Sequence, residues 1–83
     1  MATQVDLLII NNRASIELGA RFPGQTRYGM VRSVPTGALA RPGIRESYME
    51  RARQEILEEV RKLRAAWPQG TTRFIDWEDY END

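Results

Sequence analysis

Residues 43–67 read GIRESYMERARQEILEEVRKLRAAW, and their periodicity decides the fold. Met49, Ala52, Ile56, Val60, Leu63 and Trp67 recur at steps of three and four, which sets them on one face of an α-helix. Ile44 and Tyr48 extend that stripe at its start, and Leu57 flanks it. Arg45, Glu46, Glu50, Arg51, Gln54, Glu58 and Arg61 lie mostly elsewhere around the helix, and Glu58 precedes Lys62 by one turn, a favourable ion-pair spacing. Pro42 suits the first turn, where its missing N–H is not needed. Pro68 biases Trp67 away from helical geometry, so the helix should end at Ala66 or Trp67.

The length of this helix bears on function. About 24 residues rising 1.5 Å each span roughly 36 Å, whereas a compact globule of this size is only about 30 Å across. One end of the apolar stripe should therefore overhang a single small core. A second copy of the chain, the C-terminal aromatics or a foreign partner would have to cover it. The sequence thus predicts a homodimer, with Met49, Ile56, Val60, Leu63 and Trp67 as its self-association residues.

Before the helix, Val5–Ile10 reads as a buried strand. Asn11-Asn12 turns the chain into a second strand over 14–22, and Pro23-Gly24-Gln25 turns it again into a third over 27–34. Ile16 and Leu18 alternate with Ser15 and Glu17; Tyr28, Met30 and Val34 share another period-two face. A competing reading makes 4–18 a helix, with Thr3 and Asp6 as a capping box and Gly19 just beyond its end. Asn11-Asn12 interrupts that helical stripe, and paired Leu and Ile suit a sheet, so strands are preferred. The segment 35–43, PTGALARPG, is a connecting loop, and Pro68-Gln-Gly-Thr-Thr is a second reversal. The expected architecture is α+β in a single domain over 1–83. It has a hairpin or three-stranded meander at about 5–34, one long amphipathic helix at about 43–67, and a C-terminal tail that follows a body ending at residue 73.

The 83 residues include neither cysteine nor histidine. Disulfides, thiol chemistry, the commonest general base and the commonest metal ligand are therefore missing. The N-terminus, MATQVDLLIINNR, lacks the basic start and long apolar stretch of a signal peptide. Nothing approaches the ~20 apolar residues that span a bilayer. A cytoplasmic protein with no membrane partner is expected. The serines at 15, 33 and 47 have no histidine to activate them, and Lys62 stands on a charged helix face without the desolvation that a Schiff-base lysine needs. Gly37 and Gly43 do not form a phosphate loop. No enzyme, no metal and no cofactor are expected.

Charge is segregated. The last ten residues, 74–83, hold five acids and no base, whereas the first 73 hold all twelve bases against seven acids. The acids are interleaved with Phe74, Ile75, Trp77 and Tyr80, a composition suited to an arginine-bearing surface. Phe74, Asp76, Trp77, Glu78, Asp79 and Tyr80 are accordingly the candidate partner-binding residues. Alternatively, Trp77 closes the chain's own core and the acids pair with Arg61, Arg64 or Arg73. Eleven of the twelve bases are arginine. Arg13, Arg21, Arg27 and Arg32 are candidate nucleic-acid contacts, but residues 1–43 carry only a net +3, far short of a basic stripe. The expectation is a non-catalytic protein-binding module, acting as a regulator, inhibitor or assembly subunit on a protein with a basic surface. It is the kind of small accessory protein that phages and mobile elements encode. A nucleic-acid-binding protein is the alternative, and a structural subunit of a larger assembly the third reading.

Overall fold

The computed structural model describes residues 3–81. Its elements follow as β1 (Asp6–Asn11), β2 (Ser15–Arg21), β3 (Gly29–Pro35), α1 (Pro42–Ala66), β4 (Thr72–Asp76) and α2 (Trp77–Glu81). The architecture is α+β, with the antiparallel three-stranded meander followed by one long helix. The C-terminal segment is more than a tail. Residues 72–76 join the sheet as a fourth strand, giving the order β3-β2-β1-β4 with β4 parallel to β1. Asn82 and Asp83 lie outside the described residues.

The run Leu7-Leu8-Ile9-Ile10 forms a strand and not a helix because β1 is central. β2 and β4 flank it within the sheet, and all four residues are buried. Leu7 stands opposite Ala20 and Thr72, and Ile9 opposite Leu18 and Phe74. Cross-strand neighbours share a face. Val5, Leu7, Ile9, Ile16, Leu18, Ala20 and Val34 form the face on which α1 lies, and Ala52 and Ile56 complete the core from the helix. Leu8 and Ile10 point to the other face. There Tyr28 folds back over Gly19, leaving no room for a side chain larger than hydrogen at that position without displacing Tyr28.

The expected common face of Met30 and Val34 is corrected. A bulge in β3 shifts the register between Leu18 and Gly19, which face Arg32 and Met30. Val31 is the extra residue, so the alternation reverses across it. Met30 is 62% exposed on the open face while Val34 is buried under the helix.

The helix overhangs the sheet, as its length predicts, at its N-terminal end, where Ile44 and Tyr48 are exposed. The residues expected to self-associate, Met49, Ile56, Val60, Leu63 and Trp67, lie mainly on the sheet side of α1. Ile56 is buried in the chain's own core, Val60, Leu63 and Trp67 pack against that core, and Met49 is half-buried. The sheet beneath α1 covers Ile56, whereas Met49, Val60, Leu63 and Trp67 keep part of their surface exposed. Trp67 meets Phe22 edge to face, with ring centroids 5.2 Å apart.

Arg64 fixes the path from α1 into β4. Its guanidinium donates to the carbonyls of Trp67 (3.2 Å), Gln69 (2.9 Å) and Thr71, and its Nε to Thr72 Oγ1 (3.0 Å). A helix leaves its last carbonyls without intrahelical partners. One planar fork here serves the C-cap carbonyl and the two carbonyls that follow in the turn.

Candidate functional site

β1 and β4 are parallel neighbours, so their carboxyl ends meet at one end of the sheet. In open α/β sheets this is where ligands are commonly received. A cleft of about 260 Å³ lies there. Asn11 and Asp76 end the two strands, with Asn11 Nδ2 donating to Asp76 Oδ1 across 3.4 Å. The β1–β2 turn contributes Asn12 and Arg13, the helix contributes Arg45 and Met49, and Trp77 and Glu78 begin α2. Thr36 anchors the far wall. It is buried, its N–H donates to the Ala14 carbonyl (3.0 Å), and its hydroxyl reaches the Arg13 carbonyl (3.5 Å).

The structure brings three of the candidate partner-binding residues, Asp76, Trp77 and Glu78, into this cleft. Asp79 and Tyr80 follow on α2, where the Tyr80 ring lies 5.5 Å from that of Trp77. Phe74 is displaced from the group. It sits in the middle of β4 on the helix-facing side and is 64% exposed. Asp76, Glu78 and Asp79 do not form, among the described residues, the internal ion pairs that the alternative reading expected. Among the described residues, the salt bridges are Asp6–Arg21, Glu55–Arg32, Glu55–Arg51 and Glu50–Arg53, and none involves Asp76, Glu78 or Asp79. Trp77 is half-buried but is not among the residues packed against the main core.

The arginines singled out for nucleic acid do not form one surface. Arg13 is at the β1–β2 turn, and Arg27 is in the β2–β3 loop at the opposite end of β2. Seven residues of strand separate those ends, roughly 23 Å. Arg21 is bound to Asp6 at 2.9 Å and lies over the Tyr28 ring at 4.9 Å. Arg32 turns to the helix side and reaches Glu55 at 3.6 Å. The Asp6 hydrogen bond holds the Arg21 guanidinium above its ordinary pKa.

Four cleft residues, Asn11, Asn12, Thr36 and Arg45, were not among the candidates from sequence. Arg45 stands seven residues before Ala52 and therefore shares its face. A cation at the head of an apolar stripe was the available signal, and the structure places it at the cleft beyond the edge of the core. Asn11 offered no local signal, because its partner Asp76 is 65 residues away. Among the described residues no group of three or more acids is arranged to hold a metal ion, and no helix is long and apolar enough to cross a membrane. Comparison with protein-family models, curated proteins and solved structures finds no match.

Proposed function

We propose that this chain is a non-catalytic protein-binding module that docks the margin formed by β4 and α2 on a basic surface of another protein. The observation that carries this reading is the state of the margin's side chains. Asp76, Glu78 and Asp79 make no ion pair among the described residues, and Phe74, two residues before Asp76 on the same strand, is largely exposed. Unpaired acids steer a basic partner, and half-buried aromatics give it somewhere to anchor. The module acts by occupying its partner's surface, as a regulator, inhibitor or assembly subunit. Self-association and a cytoplasmic setting belong to the same proposal.

The test is affinity capture with the whole chain and with point variants, the captured proteins being identified by mass spectrometry. Deleting residues 74–83 is not a usable control, because it removes most of β4 from the sheet. Trp77→Ala, and separately the amides of Asp76, Glu78 and Asp79, leave the strand in place. The wild type should retain a protein with a basic surface at low salt and both variants should lose it. Equal retention by all three chains would sink the reading.

A further inference from the structure

The sheet has two free edges, and they differ. β3 carries the bulge at Val31 and ends on Pro35, two devices that discourage further pairing. β4 has neither. The Gln69 and Thr71 carbonyls accept from the N–H groups of Val5 and Leu7 (3.0 and 2.8 Å), so alternate residues of this segment turn their backbone toward β1. Thr72 and Phe74 therefore turn their N–H and C=O groups outward, as Asp76 does its N–H, while the Asp76 carbonyl heads α2. α2 follows β4 directly and folds back against β1, away from that edge.

Side chains along the edge are equally unfinished. Phe74 lies in register with the core residue Ile9, yet it is 64% exposed because α1 rests on β2 and β3. Leu57, 52% exposed, shares a helix flank with Arg64 two turns later, and Arg64 reaches Thr72. Charge runs along the strand axis. On the helix-facing side Arg64 stands at Thr72, the start of β4, and the Asp76 carboxylate is at its finish, near Arg13 and Arg45 of the cleft.

We propose that β4 pairs antiparallel with β4 of a second copy of this chain, about a two-fold axis at Phe74. This rests on the reading of the β4–α2 margin as a protein-binding surface and names one occupant for it. In that register Phe74 meets Phe74 of the partner subunit, and Thr72 and Asp76 meet across the axis. Phe74 exchanges two bonds with its copy and each Asp76 N–H donates to the Thr72 carbonyl across the axis, so about four hydrogen bonds form. The antiparallel sense sets the Asp76 carboxylate of each strand beside Thr72 and Arg64 of the other, whereas a parallel sense would set Asp76 against Asp76. That self-complementarity is why the occupant is a second copy and not an unrelated strand. A two-fold contact of this kind is closed and leaves only the bulged β3 edges free.

Sedimentation equilibrium of the full chain, over a range of concentrations and at low and high salt, tests it. Mass should rise from 9.6 kDa toward twice that value with concentration and fall back with salt. Phe74→Lys places two ammonium groups opposite each other on the axis. It should remain monomeric with an unchanged circular dichroism spectrum, since Phe74 is exposed in the single chain. Amide exchange at Phe74 and Asp76 should slow as the wild type is concentrated. A wild type that stays monomeric throughout, or a dimer indifferent to Phe74→Lys and to salt, overturns the pairing. If the wild type stays monomeric yet loses a captured basic protein on Trp77→Ala, the self-pairing falls and the protein-binding reading stands. A dimer abolished by Phe74→Lys, with no basic protein captured, supports the pairing and removes the foreign partner.

Discussion

Gly70 passes so close to the backbone of Val5 that a Cβ would collide with the Val5 carbonyl oxygen. Its φ of 121° lies in a region that side-chain-bearing residues avoid. This is the point where the chain, having left α1, turns to run parallel to β1, and the flanking bond from Val5 N–H to the Gln69 carbonyl is only 3.0 Å long. Gly70→Ala should therefore destabilise the fold by about 2 kcal/mol or more, from backbone strain and displacement of Val5 together. Chemical denaturation reads the loss, and a neutral substitution would contradict this account of the turn.

Asp6 ties the same corner from the other side. One carboxylate oxygen accepts from Thr71 N (3.2 Å) and Thr71 Oγ1 (2.9 Å), the other from Arg21 (2.9 Å). Arg21 first, and then Thr71, hold the Asp6 carboxyl below its ordinary value of 3.8. A carboxyl lowered on folding stabilises fully above its unfolded value and loses that contribution as pH falls through the lower folded value. Wild type and Asp6→Asn should therefore differ in melting temperature by a constant amount at neutral and mildly acid pH. The difference should narrow only below about pH 4, near the unfolded carboxylate value. A difference that persists unchanged into strong acid would remove Asp6 from this role.

The helix and the meander were legible because their signals are local. A six-residue apolar stripe, two prolines and two turn clusters lie within a few residues of the elements they define. β4 was not legible for the opposite reason. Thr72-Arg73-Phe74-Ile75-Asp76 alternates weakly, and its partner β1 pairs with it in parallel across the whole chain, a relation that no turn signal announces. With β4 hidden, Trp77 and the acids read as a tail, and their meeting with Asn11, Arg13 and Arg45 at the strand ends was invisible. The bulge at Val31 likewise reverses the faces of Met30 and Val34, and its mark is a glycine on the neighbouring strand, Gly19, whose partner is set only by the pairing of β2 with β3. The chemistry of the margin was nevertheless readable, because aromatic and acidic side chains keep their character wherever the fold puts them.

Ile56 separates the role of the helix face from its sequence reading. It is 1% exposed, among Leu7, Ile9, Leu18 and Ala52 of the core cluster. Ile56→Ala should cost about 2–4 kcal/mol through lost burial and the cavity left behind. Ile56→Glu should unfold the chain, since a buried carboxylate finds no partner there. A folded Ile56→Glu chain that differs only in its association state would return this face to the role of an interface.

Trp77 is where stability and binding divide. Half-buried at the cleft, it contacts Tyr80 and is not one of the residues packed against the main core. The ring pair contributes about 0.5–1.5 kcal/mol beyond its buried area, so Trp77→Ala should lower the melting temperature only by a few degrees. Truncating an aromatic anchor at an interface commonly costs 2 kcal/mol or more, about thirtyfold in affinity. Partner binding should therefore fall much further than folding. Replacing Asp76, Glu78 and Asp79 by their amides should slow association and flatten its salt dependence, while dissociation changes less. Thermal unfolding and binding kinetics measured on the same variants resolve the matter. A large fall in stability, with affinity per folded molecule unchanged, would assign Trp77 to the scaffold and take the margin's anchor away.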